Sequence, residues 1–127
     1  NPVYDDVVKD VFVYLKKRVD DLKEKGVDEK TMAIDPGIGF GKTVEHNLLL
    51  LNAIFDFKRI GGPVVIGVSR KSFIGKITGA DINGRLAGSI AAMLYAVERG
   101  AGIVRVHDVK ETKQALDLYA ALTKAGR

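Results

Sequence analysis

Three short segments of the sequence contain residue types that bind small polar ligands. Residues 35–43 read Asp-Pro-Gly-Ile-Gly-Phe-Gly-Lys-Thr, residues 69–72 read Ser-Arg-Lys-Ser, and residues 105–108 read Arg-Val-His-Asp. Their cationic and hydroxyl groups can donate hydrogen bonds to carbonyl, carboxylate or phosphate oxygens, and an arginine plane can stack on a heteroaromatic ring. The three segments therefore indicate a site for an anionic or heterocyclic ligand.

The glycine-rich segment 35–43 differs from the two nucleotide-binding loops that it superficially matches. A phosphate-binding P-loop needs four residues between its first glycine and Gly-Lys-Thr, whereas Gly37 and Gly41 enclose only three. Lys42 also stands where the dinucleotide fingerprint requires its third glycine. We interpret the segment as a flexible loop that presents the carboxylate of Asp35 and the ring of Phe40. A purely local turn or cap at Asp35 is the alternative.

The other two segments supply cations at fixed positions after apolar runs. Lys71 and Ser72 can donate to oxygens of a ligand, although a solvated loop is the plainer interpretation. Arg105 and His107 are two residues apart on a predicted strand and so share one face, which suits an anionic leaving group such as pyrophosphate. Alternatively, His107 is a structural histidine that is paired with Asp108.

Alternating helical and strand patterns are expected to position these segments. One helix is followed by three strand–helix units. The strands are predicted at residues 31–34, 64–68 and 103–106. The helices are predicted at residues 3–25, from residue 43 to the Gly-Gly-Pro sequence at 61–63, at residues 83–99, and after residue 108. The uninterrupted apolar strands predict a parallel sheet that is covered on both faces. Each chemical segment follows a strand's carboxyl end, where ligands bind in parallel α/β folds.

Details of the helices are predicted from apolar spacing and capping signals. Thr43 is expected to cap the second helix, Gly26 to end the first, and Asp108 with Glu111 to form a capping box for the last. Residues 69–82 are expected to form a loop. The predicted inward-facing residues are Val7, Val11, Leu15, Val19, Leu22, Leu48, Leu51, Phe55, Leu86, Ile90, Leu94, Val97, Ala115, Leu116 and Leu122.

Composition limits the classes of function. The 127 residues carry a formal net charge of +4 with acidic and basic residues interspersed, which favours small anionic substrates over nucleic acid. The absence of cysteine excludes disulfides, thiolate metal sites and a cysteine nucleophile. No signal-like start and no apolar run near the roughly 18 residues needed to span a bilayer are seen. A soluble, cytoplasmic protein with no membrane partner is expected.

The three segments, in this order and separation, resemble three successive signatures of the dihydropteroate synthases, and residues 85–92 resemble that family's penultimate helix. The resemblance implies a (β/α)8 TIM barrel and a transferase of folate biosynthesis. In its reaction, 6-hydroxymethyl-7,8-dihydropterin pyrophosphate and p-aminobenzoate give 7,8-dihydropteroate and pyrophosphate. A magnesium ion is implied as cofactor, because it stabilises the departing anion.

The resemblance also implies a role for individual residues. Asp35 would bind the amino-pyrimidine edge of the pterin, and Lys71 would bind near the pterin carbonyl oxygen and ring nitrogen. Arg105 would stack on the pterin and, with His107, hold the pyrophosphate, so that Lys71, Arg105 and His107 are the implied catalytic residues.

For p-aminobenzoate, the resemblance implies that Ser72 takes the carboxylate and Phe40 packs beside the ring, while Arg70 braces the loop. The implied chemistry needs no covalent nucleophile, because charge stabilisation of the leaving pyrophosphate is electrostatic work.

The length of the chain implies an incomplete barrel. A (β/α)8 barrel needs about 250 residues, and residues 1–127 are expected to form a single C-terminal fragment with the last three strand–helix units, preceded by one helix. The magnesium ligands and further pterin contacts are expected in the N-terminal part of the family's sequence. We expect the isolated fragment to be inactive and to form a homo-oligomer. A non-catalytic pterin- or anion-binding module and a self-association module are the alternatives.

Overall fold

Six α-helices pack around short parallel strand segments in the computed structural model, which describes residues 3–126. The helices are α1 (Val7–Glu24), α2 (Val44–Asn52), α3 (Ile54–Lys58), α4 (Ser72–Thr78), α5 (Leu86–Glu98) and α6 (Val109–Ala125). The strands are β1 (Val65–Ile66) and β2 (Ile103–Val104), and turns of 3-10 helix span Glu29–Thr31 and Ile82–Gly84. The expected α/β class is confirmed.

Three extended segments lie side by side in chain order, with β1 in the middle. β1 pairs in parallel with β2, Val65 opposite Ile103 and Ile66 opposite Val104. On the other side of this sheet, Ile34 forms a single parallel bridge with Val64. Helices connect the three segments, which allows all three to run in parallel. Because they are parallel, the loops that follow them emerge at the same edge.

The strands are shorter than the apolar runs predicted. The expected strand at 31–34 is reduced to the bridge at Ile34, because Asp28 accepts a hydrogen bond from the backbone N–H of Lys30 at 3.0 Å and caps a 3-10 turn there instead. Burial on both faces is confirmed only in part for the central segment: Val64 and Ile66 on one face are fully buried, whereas Val65 on the other face is partly buried. It is wrong for β2, in which Ile103 is 44% exposed, since β2 is an edge strand.

The first helix begins later than predicted, at Val7 rather than residue 3, because the Asp6 side chain caps it by accepting from the N–H of Lys9 at 3.1 Å. Its predicted apolar stripe is confirmed at Val7 and Val19, which are buried. The stripe is partly buried at Val11 and Leu15 and exposed at Leu22. Gly26 follows the helix with φ of 90°, as expected.

The second helix starts as predicted, with a capping box between Thr43 and His46, but its predicted inward face is confirmed only at Leu51, which is buried. Leu48 and Phe55 were expected in the core and are 40% and 67% exposed. The buried residues of α2, of α3 and of the position between them are Asn47, Leu50, Leu51, Ala53, Ile54 and Phe57. The buried face of α2 thus includes Asn47, whose side-chain oxygen accepts from the N–H of Gly39 in the preceding loop.

The segment 72–78 was predicted to be a loop and forms helix α4. Phe73 and Ile74 are buried and attach it to the core, and Gly79 ends it with φ of 80°. In α5, the buried positions are Ser89, Met93 and Ala96.

The predicted inward residues of α5 and α6 are only partly correct. Ile90, Leu94 and Val97 are partly buried in α5, as are Ala115 and Leu116 in α6, which pack against the core. Leu86 and Leu122 are 38% and 65% exposed, so their predicted core positions are wrong. The predicted Asp108–Glu111 capping box is also wrong, because the Asp108 carboxylate binds Arg70 instead of the helix N-terminus.

Within residues 3–126, no helix is both long enough and apolar enough to cross a membrane.

Candidate functional site

The three chemical segments meet where the parallel strand segments end. We call residues 35–43 the first loop, residues 69–72 the second loop and residues 105–108 the third loop. The first loop follows the bridge at Ile34, the second follows the segment that contains β1, and the third follows β2. Parallel strands carry the three loops to one edge of the sheet, as the sequence predicted.

Asp35, Lys71 and Arg105 come together at this edge. The Arg105 Nη2 atom donates to Oδ2 of Asp35 at 2.9 Å, which joins the third loop to the first. The other carboxylate oxygen, Oδ1, accepts from the backbone N–H of Gly37 at 2.8 Å. Lys71 Nζ donates to the carbonyl oxygen of Ile38 at 3.1 Å and so joins the second loop to the first.

Phe40 presents an aromatic face beside this cluster. The Lys71 ammonium lies 4.2 Å from the centroid of the Phe40 ring, within the range of a cation–π interaction. The Phe40 side chain is nevertheless 62% exposed. An exposed ring next to a cation offers a stacking surface to a flat anionic ligand.

Two lysines of the site have altered proton affinities. Burial is the main cause that lowers the pKa of Lys71 from its ordinary 10.5, the nearby Arg105 charge lowers it further, and Asp35 acts in the opposite direction. Burial also lowers the pKa of Lys42, against an opposing effect of Asp35. Lys71 therefore releases its proton at lower pH than an exposed lysine does.

Lys42 supports the first loop from within. Its Nζ donates to the carbonyl oxygens of Gly37 at 3.0 Å and Phe40 at 2.9 Å. These bonds direct the ammonium at the backbone of its own loop. The arrangement agrees with the rejection of a phosphate-binding P-loop, whose lysine would face the ligand.

His107 is held by Ser69, and its expected alternative pairing with Asp108 is wrong. His107 Nδ1 lies 2.8 Å from Ser69 Oγ, and the His107 backbone N–H donates to the same oxygen at 3.3 Å. The Asp108 carboxylate instead accepts from Arg70 Nη2 at 2.9 Å and Nε at 3.4 Å. Arg70 thus joins the second and third loops, in agreement with its expected bracing role.

Ser72, the remaining site residue predicted from the sequence, is the first residue of α4 and is exposed. It directly follows Lys71, so the residue lies at the same edge of the sheet.

Three polar residues that support the loops were missed at the sequence level. Asn47, 3% exposed, accepts from the N–H of Gly39 at 2.8 Å. Ser89 accepts from the N–H of Arg70 at 2.9 Å, and Arg85 Nη1 donates to the Arg70 carbonyl at 3.1 Å. The signal that could have found Asn47 and Ser89 is a polar side chain on an otherwise apolar helix face, because buried polar groups are usually hydrogen-bonded.

Two backbone positions have unusual features: the dihedral angle at Arg70 and the close approach of the Arg105 guanidinium at Gly67. Arg70 has φ of 59°, the one positive value at a non-glycine residue within residues 3–126. At Gly67, which is buried, an added Cβ would lie 2.8 Å from Nη2 and 2.9 Å from Cζ of Arg105. The Arg105 guanidinium therefore crosses directly over the backbone at Gly67, and an added Cβ would force it to shift.

The site contains no metal centre of its own among the described residues. Within residues 3–126, no group of three histidine, aspartate or glutamate side chains is arranged to hold a metal ion. The Asp35 carboxylate, the acidic group at the cluster, already accepts from Gly37 and Arg105. The positive charge at this edge comes from Lys71 and Arg105.

A sequence model described as "Pterin binding enzyme" matches residues 1–107. This chain belongs to the pterin-binding enzyme family. Among curated members, it is 42% identical over 125 residues to dihydropteroate synthase of Haemophilus influenzae, a match that covers 98% of this chain and 46% of the relative. The expected resemblance to the dihydropteroate synthases is thereby confirmed.

Solved structures of the pterin-binding enzyme family superpose closely on this chain. Dihydropteroate synthase from Xanthomonas albilineans in complex with 7,8-dihydropteroate matches with a TM-score of 0.93 and 43% identity, covering 96% of this chain and 47% of that one. The same enzyme with 4-aminobenzoic acid matches with a TM-score of 0.93 and 43% identity, covering 96% and 45%. The chain thus spans about half the length of these relatives.

Proposed function

We propose that this chain is the C-terminal part of a dihydropteroate synthase. The reaction joins p-aminobenzoate to 6-hydroxymethyl-7,8-dihydropterin pyrophosphate and releases pyrophosphate. The complexes of the Xanthomonas albilineans enzyme with 7,8-dihydropteroate and with 4-aminobenzoic acid support both substrate classes. The observation that carries the proposal is the meeting of Asp35, Lys71 and Arg105 at one edge of the sheet.

For the pterin, Asp35 supplies the acceptor. Each carboxylate oxygen can accept more than one hydrogen bond, so the contacts to Gly37 and Arg105 leave lone pairs for the amino-pyrimidine N–H groups. The Lys71 ammonium uses one N–H on Ile38, and its other N–H groups can reach the pterin carbonyl oxygen and ring nitrogen. The Arg105 plane stacks on the heterocycle.

For the leaving group, Arg105 and His107 provide the donors. As the bond between the pterin methylene carbon and the pyrophosphate oxygen breaks, negative charge grows on that oxygen, and fixed N–H donors stabilise it. The p-aminobenzoate nitrogen forms its bond to the same methylene carbon and then loses a proton to solvent. No covalent enzyme intermediate is required.

For p-aminobenzoate, Phe40 and Ser72 form the proposed contacts. The exposed Phe40 ring packs against the aminobenzoate ring, and the Ser72 hydroxyl donates to its carboxylate. Lys71, at 4.2 Å from the Phe40 ring centroid, lies between the proposed pterin and aminobenzoate positions.

A magnesium ion, which the family resemblance implies, would neutralise charge on the pyrophosphate. The residues of this chain do not fit a complete site for it, because no cluster of three suitable ligands occurs within residues 3–126. The ligands of the ion are therefore predicted to lie in the N-terminal part of the family's sequence.

For the whole fold, we propose that residues 1–127 form the last three strand–helix units of a (β/α)8 barrel, preceded by one helix. Three parallel segments in chain order, helical connections and the close match to the family's structures support this arrangement. The bridge at Ile34 and strand β2 have unpaired outer edges within residues 3–126, which can accept further strands. A cytoplasmic location also stays a prediction.

A homo-oligomer is the second part of this proposal. Leu118 and Leu122 are four residues apart on one face of α6 and are 62% and 65% exposed. Neighbouring exposed apolar side chains of this kind favour contact with another chain. Light scattering of the purified protein is expected to give at least the mass of a dimer. A single monomeric species would contradict self-association.

The decisive experiment compares two aspartates that each pair with an arginine. In the full-length protein that carries this chain, Asp35→Asn is expected to lower kcat/KM by about 100-fold, because the carboxylate charge is lost and one acceptor oxygen becomes an NH2 donor. Asp56 pairs with Arg59 on the surface of α3 at 3.6 Å, so Asp56→Asn is the matched control and should retain activity. Full activity of Asp35→Asn would refute the assignment.

The isolated 127-residue chain is expected to show no turnover, because it spans about half of its relatives. Calorimetry with pterin pyrophosphate and with p-aminobenzoate tests the residual site, for which weak binding of both is expected. Dihydropteroate formation by the isolated chain would contradict the proposal. Binding without turnover by the full-length protein would instead favour a non-catalytic module.

A further inference from the structure

The Ser69 hydroxyl lies between two nitrogens of the same residue. It is 2.8 Å from His107 Nδ1 and 3.3 Å from the His107 backbone nitrogen. Ser69 is buried, with 8% of its surface exposed. Within residues 3–126, its hydroxyl makes hydrogen bonds to these two nitrogens alone.

Counting protons around this oxygen distinguishes the two neutral forms of His107. A backbone N–H can only donate, so it occupies one lone pair of Ser69 Oγ. If Nδ1 also carried a proton, Oγ would accept twice and its own proton would have no acceptor at a buried position. If Nδ1 is unprotonated, the hydroxyl donates to it and every group is satisfied.

We propose that Ser69 is a positioning residue that holds neutral His107 with its proton on Nε2. The Nε2–H group of the exposed imidazole then faces away from Ser69 as a fixed donor at the strand-end edge. The inference rests on the proposed function for its purpose, since such a donor suits a phosphoryl oxygen of the leaving pyrophosphate. It names His107 Nε2 as the atom that binds the pyrophosphate and Ser69 as the residue that orients it.

The second histidine of the chain provides an internal reference. His46 Nδ1 accepts from the Thr43 backbone N–H at 3.2 Å in the capping box. A backbone donor leaves no choice of role, so neutral His46 must also carry its proton on Nε2. His46 makes this bond within its own helix and has no hydrogen bond to Ser69.

Nitrogen NMR of the histidine side chains tests the proposal directly. In the full-length protein labelled with 15N-histidine, at a pH at which the spectra show neutral imidazoles, His107 is expected to show the same Nε2–H pattern as His46. In Ser69→Ala, the Nδ1 and Nε2 resonances of His107 should move towards each other, as a mixture of tautomers forms. Those of His46 should not move.

Ser69→Thr keeps the hydroxyl and is expected to restore the wild-type pattern, which separates the hydrogen bond from a general loss of structure. A protonated Nδ1 at His107 in the wild-type protein would overturn the proposal. So would a His107 pattern that is unchanged in Ser69→Ala.

Pyrophosphate separates this inference from the proposed function. Added to the wild-type protein, it is expected to shift the His107 Nε2 resonance and its proton but not those of His46. If the Nε2–H pattern is present but pyrophosphate leaves it unmoved, the positioning role of Ser69 stands and the anion-binding role of His107 fails. In the assay, Ser69→Ala should lower kcat/KM by about tenfold, as expected for one hydrogen bond, and Ser69→Thr should recover it.

Discussion

The first and second loops stand side by side at the end of the sheet, but different parts of the chain hold them in place. Arg105 and Lys71 reach the first loop from far along the chain, but the other supports of this loop are local: Gly39 binds Asn47 eight residues ahead, and Lys42 binds the carbonyls of Gly37 and Phe40. The supports of the second loop lie far along the chain. Arg70 binds residues that are 15, 19 and 38 positions away.

This difference separates a loop whose backbone is held mainly by its own helix from one that is held only when neighbouring units dock. The backbone of the first loop depends mainly on a short stretch of chain, although Arg105 binds its Asp35 side chain. The second loop depends on Arg85 and Ser89 of the α5 region and on Asp108 of the third loop. Lys71 joins the two, because it belongs to the second loop and binds Ile38 of the first.

Breaking the Lys71 link should have the largest effect. Lys71→Met keeps the long side chain beside Phe40 but removes every N–H donor. We expect kcat/KM of the full-length protein to fall by about 100-fold to 1,000-fold, because a fixed donor to the transition state is lost. Steady-state kinetics measures it. The exposed Lys76 of α4 is the matched control, and equal losses in Lys71→Met and Lys76→Met would contradict a specific role.

Lys71→Arg tests the charge at the same position. Because burial lowers the pKa of Lys71, the bonds that its ammonium donates are lost as the pH rises through that lowered pKa, below the ordinary value of 10.5. Arginine stays protonated, so the alkaline fall in kcat/KM should move to higher pH in the variant. An unchanged alkaline limit would show that another group sets it.

Removing the local support of the first loop should have the next largest effect. Asn47→Ala leaves the Gly39 N–H without its acceptor and opens a cavity at a 3% exposed position. We expect a loss of about 2–3 kcal/mol in the free energy of unfolding. Urea unfolding measures it, with Asn83 as control, since it is exposed and its side chain makes no hydrogen bond within residues 3–126. A loss no larger than that of Asn83→Ala would contradict the support role.

Substituting one residue with a left-handed backbone in each loop sharpens the comparison further. Gly39 has φ of 85°, and an added Cβ would lie 3.0 Å from Lys71 Cδ, so Gly39→Ala should cost about 1–2 kcal/mol. Arg70→Gly relieves a similar strain but loses an exposed ion pair and makes the unfolded chain more flexible, so its net effect should be near zero. Thermal unfolding of both variants checks this, and equal losses would contradict it.

Ser89→Ala is expected to have a small effect, about 1 kcal/mol in the free energy of unfolding, because it removes the one hydrogen bond that Ser89 accepts from the Arg70 N–H. Hydrogen exchange should nevertheless show faster exchange in both the second and third loops, since Arg70 also binds Asp108. In Asn47→Ala, faster exchange should stay within the first loop and α2. Exchange that is confined to Arg70 in Ser89→Ala would contradict the link between the two loops.

The same difference explains what the sequence could predict. Asp35, Lys71 and Arg105 could be placed at one edge, because each follows an apolar run and parallel strands end together. Thr43 could be identified as a cap because the capping interaction spans three residues. These inferences succeed where the physical cause lies within a few residues or in the general geometry of βαβ units.

The errors arise where a distant partner decides the structure. Asp108 has the spacing of a helix cap, but Arg70, 38 residues away, binds its carboxylate. The inward face of α5 contains Ser89, which apolar periodicity places outside the core, because its partner is the backbone of Arg70. Helix α4 has only seven residues, too few for a periodic pattern to appear among its glycine and lysine.

The bare backbone at Gly67 has one further consequence. Because the guanidinium of Arg105 occupies the position that a Cβ at residue 67 would need, the methyl group of Gly67→Ala would displace it. Every side chain of the three loops would stay the same, yet the guanidinium of Arg105 would be moved away from Asp35. Such a variant would separate the contribution of side-chain identity to activity from the contribution of side-chain position.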